Sequence, residues 1–394
     1  MTSRNRTLLS TPSTRLVSLD FFRGATIMLM ILVNNPGTWS AVYPPLLHAK
    51  WHGWTPTDLV FPFFLFIVGV AIVLAFTRRL ERGITRKELL QKAAGRTVVL
   101  FALGLFMAAW PFFTFYPEFG VRPSFDRLRY MGVLQRIALC YFAASATFLF
   151  CKERTQLVWL VGLLVVYWLA LALIPVPGYG AGQWDDPVST LPAFVDRLIL
   201  GGDHLWVGAD RQWDPEGLLS TLPAIGTTLF GVWTGLLLVG RDDANTKVAR
   251  LLVRGCALVA VGYVWNWFFP INKGIWTSSY SVFTAGQAMC CLGICYWVVD
   301  VRGWKKWTQP FVEYGVNALT VFFMSGIVAK SMGILKVATD SNGDPVSLHS
   351  WIYRTIFEPL ASPMNASLLF AITWILAWYV VLHVMYKRGI IVKV

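Results

Sequence analysis

Charged residues are scarce in this chain. They make up 14% of its 394 residues, whereas apolar residues reach 56%, and soluble domains typically carry about 25% charged residues. The mean hydropathy is +0.56. This balance excludes an ordinary soluble enzyme. It predicts an all-α, polytopic membrane protein, because a chain in lipid must satisfy its backbone hydrogen bonds within helices.

We expect no signal peptide, and we find no internal repeat and no low-complexity tract in the sequence. Its start lacks the apolar core that a secretory signal needs, and residues 1–14 are rich in Ser, Thr and Arg. We expect this segment to be a disordered cytoplasmic tail and residues 15–394 to form one transmembrane domain. The missing repeat argues against a transporter, since many transporters are built from inverted repeats.

The six cysteines lie in or beside apolar segments, without the spacing of a zinc site. We therefore expect reduced packing residues and no bound metal. The net charge of +13 does not indicate nucleic acid binding, because the basic residues form short runs between apolar segments. That placement is typical of membrane proteins.

Ten apolar segments are long enough to cross a hydrocarbon core of about 30 Å. They are predicted at 20–42, 58–77, 93–112, 131–151, 157–175, 217–239, 250–269, 281–300, 311–334 and 367–386. Residues 351–366 are also apolar, but Pro359 and Pro363 interrupt them, so we expect an interfacial or re-entrant segment. Lys and Arg favour one side by roughly two to one, which predicts that both termini are cytoplasmic in a bacterial inner membrane.

Polar residues collect at the predicted external mouth of the first two spans. Asn34 and Asn35 end the first span, Asp58 begins the second, and His48 lies between them. Acyl transfer to an amine needs a base, a group that orients it and a donor to the oxyanion. An imidazole, a carboxylate and an amide supply these roles. Equally, Asp58 is suited to cap the second span, and Asn34 to bond across a helix interface.

The predicted external loop 176–216 is acidic and contains three tryptophans. Aromatic faces beside carboxylates suit a cationic sugar, although a structured cap with interfacial tryptophans has the same composition. Within the fourth span, Gln135 precedes Arg136. A cation there pairs either with an anionic ligand or with a buried carboxylate.

Several blocks in the same order give the chain a resemblance to a known family. They are Asn34 to Phe64, containing His48-Ala-Lys-Trp51-His-Gly53 and Asp58-Leu-Val-Phe-Pro62-Phe-Phe; Leu128-Arg-Tyr-Met-Gly132-Val-Leu-Gln135-Arg136; Val195-Asp196-Arg197-Leu198 through Gly202-Asp203-His204-Leu205; Asp214-Pro-Glu216-Gly217-Leu218-Leu219; and Pro270-Ile-Asn272-Lys273 through Trp276. From about residue 15 to the C-terminus, the sequence resembles the heparan-α-glucosaminide N-acetyltransferase family and its bacterial NagX-like relatives.

The resemblance implies a dimeric helical membrane bundle. It also implies transfer of acetyl from cytosolic acetyl-CoA to the amine of a terminal glucosamine across the bilayer. The active-site histidine of the family corresponds to His48, and its neighbouring asparagine and aspartate to Asn34 and Asp58. His52 departs from the animal-type pattern, which has an asparagine there, so it is a second-choice base. The large N-terminal luminal domain of the animal enzyme has no counterpart here, which puts lysosomal heparan sulfate in doubt as substrate.

Two further groups of residues complete the hypothesis. Candidates for holding acetyl-CoA are Arg78, Arg79, Arg96, Asn35, Gln135 and Arg136. Candidates for holding the amino sugar are Asp203, His204, Trp206, Glu216, Asn272, Lys273 and Trp276. The alternative function is an inner-membrane transporter of an amino sugar such as N-acetylglucosamine.

Overall fold

A computed structural model describes residues 16–114, 118–121 and 126–392. The predicted tail 1–14 therefore lies outside the described residues. Within them the chain is all-α. The helices are α1 (Val17–Asn34), α2 (Val60–Glu81), α3 (Arg86–Ala109), α4 (Val133–Phe150), α5 (Glu153–Leu173), α6 (Leu191–Leu200), α7 (Thr221–Val239), α8 (Ala244–Asn266), α9 (Ser278–Cys295), α10 (Gln309–Val316), α11 (Ala318–Ile334), α12 (Leu348–Ile352) and α13 (Pro363–Lys387).

Two small antiparallel hairpins accompany these helices in the described ranges. Strands β1 (Phe113–Thr114) and β2 (Gly120–Val121) pair Phe113 with Val121. Strands β3 (Lys336–Thr339) and β4 (Pro345–Ser347) pair Ala338 with Val346. Both hairpins lie between helices, so they connect the bundle and do not form a layer of it.

The predicted fold class is confirmed. In the described ranges nine helices are long and apolar enough to cross a membrane, and the pair α10 and α11 forms a tenth span if it is counted as one. The chain is therefore a multi-pass membrane protein. Each predicted span coincides with one of these helices or with the pair.

Two spans differ from their predicted form. The first ends at Asn34 and not at residue 42, because Asn35 precedes Pro36 and a residue before proline avoids the helical conformation. The ninth is broken at Asn317, where α10 and α11 meet at a bend of 67°. The Asn317 side chain donates to Ile390 O (3.2 Å) and accepts from Val392 N (3.1 Å), which fastens the C-terminal segment to the break.

Helices α2 and α7 form the centre of the bundle and approach each other through glycines. A Cβ added at Gly69 would lie 2.0 Å from Thr228 O, and one added at Gly231 would lie 2.0 Å from Phe66 O. The two backbones are therefore in direct contact, as in membrane helix pairs with small residues at their interface.

Successive spans alternate in direction, so the long connections gather at one end of the bundle. We call it the loop end; its described segments are 35–59, 110–114, 118–121, 126–132, 174–220, 267–277 and 335–362. The opposite, short-turn end carries 82–85, 151–152, 240–243 and 302–308. The predicted loop 176–216 lies at the loop end and contains α6, whose N-cap Thr190 accepts from Ala193 N.

Candidate active site

His48 and Asp58 form a close pair at the loop end. His48 Nδ1 lies 2.6 Å from Asp58 Oδ1. The other carboxylate oxygen accepts from the backbone N–H groups of Thr55 (2.9 Å) and Ala49 (3.0 Å). Asp58 thus closes a capping box at the start of the second span and orients the histidine as well. The two interpretations of this residue are compatible.

The pair is buried on one side and open on the other. The Asp58 side chain is 1% exposed and that of His48 is 49% exposed. Tyr280 of α9 donates its hydroxyl to Asp58 O at 2.5 Å, which fixes the backbone from below. Because Nδ1 faces the carboxylate, Nε2 is the ring nitrogen directed towards the open side.

Lys273 reaches this open nitrogen from the turn between α8 and α9. Its Nζ lies 3.3 Å from His48 Nε2. Asn272 shapes the turn, since its Oδ1 accepts from Ile275 N (3.1 Å) and its own N–H donates to Thr277 Oγ1 (3.0 Å). The site therefore joins segments that lie 225 residues apart in sequence.

The electrostatics at Lys273 are set by burial and by two carboxylates. Burial lowers the pKa of Lys273 below its ordinary value, although the negative charges of Glu216 and Asp58 oppose the change. For Glu216, burial favours a higher pKa, but the charges of Arg129, Lys273 and Arg136 outweigh it and the pKa is lowered. Glu216 is therefore an anion in the folded protein at neutral pH.

Arg129 holds the end of the predicted cap loop. It donates to Asp214 Oδ2 (2.8 Å) and Oδ1 (2.5 Å) and to Glu216 Oε2 (2.6 Å). Burial opposes its charge, but the two carboxylates raise the pKa of Arg129 overall. Burial raises the pKa of Asp214. Glu216 is 5% exposed, and its carboxylate is bonded within this network. It is therefore buried beneath the surface that a sugar can reach.

Arg136 is fully buried and bonded to the same loop. It donates to Pro215 O (2.9 Å), to Gly217 O (3.0 Å) and to the Ser220 hydroxyl, and it lies 5.1 Å over the ring of Trp276. Its hydrogen-bond partners are neutral loop oxygens, and the carboxylates of Glu216, Asp214 and Asp196 interact with its charge from further away. The sequence leaves open whether Arg136 pairs with an anionic ligand or with a buried carboxylate. In the structure, its direct hydrogen bonds go to loop oxygens.

Trp276 is 0% exposed, so its ring is out of reach of a ligand. It packs edge-on against Phe61 at 5.1 Å and donates to Thr227 Oγ1 at 3.2 Å. Its φ of +50° is left-handed, a region that costs a bulky residue roughly 1 kcal/mol or more. The packing of its ring holds the Lys273 turn against α2 and α7.

A row of aromatic rings borders the histidine loop. Trp51 lies 5.2 Å from Trp213, which lies 5.9 Å from Trp206, and Trp51 Nε1 donates to Trp184 O at 2.8 Å. The rings line up along the cap loop, and Trp206 is 37% exposed. Trp51 and Trp213 are partly buried, so Trp206 presents the most open ring of the row.

His52, the second-choice base, has both ring nitrogens engaged. Nε2 lies 2.9 Å from Asp185 Oδ1, and Nδ1 lies 3.4 Å from Asn272 Nδ2. Its arrangement links the histidine loop to the cap loop and to the Lys273 turn. His48 differs in its partners, because Nδ1 lies on the buried carboxylate of Asp58 and Nε2 faces the amine of Lys273, an arrangement that suits a base.

The remaining candidates for sugar binding lie further along the cap. His204 stacks on Tyr130 at 4.0 Å, and its Nδ1 lies 2.8 Å from Leu128 O, which is a packing arrangement. Asp203 is exposed and lies 3.7 Å from both Arg127 and Arg211.

The two asparagines at the end of α1 differ. Asn34 is exposed, and its side chain has no hydrogen-bond partner among the residues that the structure describes. Asn35 Nδ2 donates to Ile31 O at 2.8 Å, which closes the last turn of α1. Asn34 is thus the amide that is available to a ligand.

An apolar cavity of about 60 Å³ lies between α1, α2, α3, α4 and α11. Arg96 is in its lining, with its guanidinium 5.0 Å over the ring of Tyr141. Gln135 packs beside it, against Gly104 of α3.

Arg78 and Arg79 are in the last turn of α2 at the short-turn end, and α2 rises about 25 Å between Phe61 and Arg78. Arg136, beside Trp276 and Phe61, is therefore far from these arginines.

Three contributors were missed by sequence reasoning. Arg129, Tyr280 and Asp185 hold Glu216, Asp58 and His52 respectively. The acids at 214 and 216, two residues apart beside a predicted membrane surface, were a signal that a buried cation partner was needed. In the described ranges, no three His, Cys, Asp or Glu side chains are grouped so that they could hold a metal ion.

Comparison with known proteins gives one family. The sequence profile described as heparan-alpha-glucosaminide N-acetyltransferase, catalytic, matches residues 15–186. The chain is 33% identical over 364 residues to the heparan-alpha-glucosaminide N-acetyltransferase of Homo sapiens, covering 80% of this chain and 53% of that protein. It is 31% identical over 357 residues to that of Mus musculus, covering 78% and 53%. The chain spans about half the length of these curated relatives.

Proposed function

Since this chain belongs to the heparan-α-glucosaminide N-acetyltransferase family, we propose that it transfers an acetyl group from acetyl-CoA to the amine of a glucosamine-type sugar. The observation that carries the proposal is the His48–Asp58 pair at the loop end, with Nδ1 held at 2.6 Å and Nε2 facing an amine, Lys273 Nζ, at 3.3 Å. An oriented imidazole is what proton removal from an attacking amine requires.

His48 acts as the base. The Asp58 carboxylate accepts from Nδ1–H, so Nε2 carries the lone pair and takes a proton from the sugar ammonium. His48 releases this first proton to solvent, and the neutral amine attacks the thioester carbonyl carbon. As the C–S bond breaks, His48 takes the second proton from the nitrogen and passes it to the CoA thiolate. Asp58 stabilises the imidazolium that forms between these steps, because its charge is buried and its second oxygen is already bonded.

Asn34 stabilises the oxyanion. It ends α1 at the same mouth, and its amide is exposed. A single oxyanion donor is worth about 2.7–4 kcal/mol of barrier in a comparable reaction. An amide suits this role because it donates without changing charge.

The donor enters from the short-turn end, which is the cytoplasmic side in this proposal. Its phosphates meet Arg78, Arg79 and Arg96, and the pantetheine arm follows the apolar cavity between α1, α2, α3, α4 and α11. Arg136 is bonded to the cap loop. In this proposal it therefore holds that loop, and the other arginines bind the phosphates.

The acceptor lies at the loop end, which is the periplasmic side of a bacterial inner membrane in this proposal. Trp51, Trp213 and Trp206 offer ring faces, and the exposed carboxylates of Asp185 and Asp203 attract an ammonium. As in the family resemblance, we expect the protein to act as a homodimer.

The test is CoA release from acetyl-CoA by the detergent-purified protein, with and without glucosamine. We expect sugar-stimulated release that disappears in His48→Ala and persists in His349→Ala, a histidine of α12 used as the matched control. If a panel of amino sugars stimulates no release, while proteoliposomes take up N-acetylglucosamine, the transporter function replaces this one.

A further inference from the structure

We infer that Lys273 is an internal acetyl acceptor, so that the protein acetylates its own Nζ when acetyl-CoA is present and the sugar is absent. The inference rests on the proposed function. It starts from one contact: Lys273 Nζ lies 3.3 Å from His48 Nε2. This nitrogen is the one that must take the proton from the sugar amine.

A reacting amine has to come within hydrogen-bond reach of its base. Lys273 already satisfies this condition, and it carries the same functional group as the proposed substrate, a primary amine. The turn that presents it is fixed by Asn272, by Thr277 and by the bond from Gly53 N to Ile271 O at 2.8 Å. Lys273 is therefore held at the position that the acceptor amine must occupy.

The surroundings also make Lys273 a better nucleophile than an exposed lysine. Only the neutral amine attacks a thioester, and burial lowers the pKa of Lys273. Glu216 and Asp58 favour the ammonium, but they do not cancel the effect of burial. A lysine in partly desolvated surroundings is a recognised covalent nucleophile.

The chemistry is that of the proposed reaction with a different amine. His48 Nε2 takes a proton from the Lys273 ammonium and releases it to solvent, the freed amine attacks the thioester carbonyl carbon, and an N–C bond forms. The C–S bond then breaks, and His48 carries the second proton from the nitrogen to the CoA thiolate. The products are N-acetyl-Lys273, CoA and one proton, and no further reactant is needed.

The modification has two consequences. It removes the positive charge beside His48 and Glu216, and it leaves an acetamide where the sugar amine must approach. The donor-loaded, sugar-free enzyme therefore inactivates itself slowly. A bound amino sugar protects Lys273, because the two amines compete for one lone pair.

The experiment begins with the sugar-stimulated CoA release of the purified wild-type protein. The same preparation is then incubated with ¹³C-labelled acetyl-CoA without sugar, denatured in acid and mapped by mass spectrometry. Acid removes an acetyl group from imidazole but not from an amide, so label on Lys273 is distinguished from label on His48.

We expect one labelled acetyl group on Lys273 and a matching loss of turnover. Glucosamine at about ten times its Kd should reduce the labelling roughly tenfold by mass action. His48→Ala should leave Lys273 unlabelled. Lys50 is the matched control, since it is exposed in the same loop as His48. Lys50→Arg should leave the label in place, and Lys273→Arg should remove it.

Equal labelling of Lys273 in wild type and His48→Ala, or equal labelling of Lys50, would mean uncatalysed acetylation and would overturn the inference. Unlabelled Lys273 in a preparation that releases CoA with glucosamine would also overturn it, with the proposed function intact. If neither label nor sugar-stimulated release is found, the proposed function fails and this inference fails with it.

Discussion

Two carboxylate–histidine pairs at opposite ends of the bundle share their chemistry and differ in their surroundings. At the loop end, His48 lies 2.6 Å from Asp58, and its second nitrogen meets Lys273. Between α10 and α13, His383 Nδ1 lies 2.9 Å from Glu313 Oε2, and Gln309 donates to the same carboxylate at 3.0 Å. The α13 helix rises about 30 Å from its start to His383.

The surroundings of the two pairs differ in a way that fits a catalytic role for the first, as proposed, and a packing role for the second. Glu313 is fully buried and its three-residue network joins two helices, which is a structural task. Asp58 is equally buried, but backbone N–H groups from a loop fill its second oxygen. The histidine that it holds presents its other nitrogen to the Lys273 amine, and its side chain is 49% exposed.

Replacing each histidine by alanine should give the largest difference between the two pairs in kcat and in Tm. We expect His48→Ala to lose about 10²–10⁴-fold in kcat, which is the usual contribution of general base catalysis. His383→Ala should keep kcat within a few-fold and lower the Tm. The measurement is CoA release beside thermal unfolding in detergent. Similar kcat values for the two variants would contradict the distinction.

Neutralising the two carboxylates is the next test. Asp58→Asn keeps an oxygen for the backbone N–H groups but cannot stabilise an imidazolium, so we expect a loss of about 10²–10³ in kcat. Glu313→Gln serves as its control and should affect stability only. If Asp58→Asn retained full turnover with a normal Tm, the capping role alone would describe that residue.

The amides that end α1 give a smaller effect. On the basis of one oxyanion donor, Asn34→Ala should lose roughly a hundredfold in kcat with little change in the KM for the sugar. Asn35→Ala, which loses the bond to Ile31 O, should cost stability instead. Near-normal turnover of Asn34→Ala would remove it from the mechanism.

A third buried carboxylate, Asp196 of α6, has no histidine and should matter for stability alone. Its Oδ1 accepts from Leu218 N at 2.8 Å, and burial raises its pKa to about 7. The folded protein thus binds this proton more tightly than the unfolded chain does. The resulting stability is present below the ordinary pKa and is lost as the pH rises through about 7.

Asp196→Asn keeps the acceptor for Leu218 and removes the ionisation. We expect it to raise the Tm relative to wild type more at pH 8 than at pH 5. The gain in the free energy of unfolding should be about 2 to 3 kcal/mol larger at pH 8 than at pH 5. Thermal unfolding at both pH values measures it. An equal Tm difference at both values would exclude ionisation of Asp196 as the cause.

The membrane spans could be predicted from the sequence because the hydrophobicity of a span is a local property of about 20 consecutive residues. The break at Asn317 could not be found this way, since it depends on the bonds from its side chain to residues 390 and 392. The His48–Asp58 pair is ten residues apart and was predicted. The approach of Lys273 to His48 and the burial of Trp276 depend on how distant loops pack, which spacing does not encode.

The crossing of α2 and α7 has a consequence for natural variation. An alanine at Gly69 or Gly231 adds one methyl group, the smallest change available to a side chain. Yet that carbon would lie 2.0 Å from a backbone oxygen of the other helix, and a main chain cannot turn aside as a side chain can. Both helices begin at the loop end, so the displacement would reach Asp58 and Ser220 together. We therefore expect Gly69 and Gly231 to tolerate no larger residue, although neither of them contributes a side chain to the site.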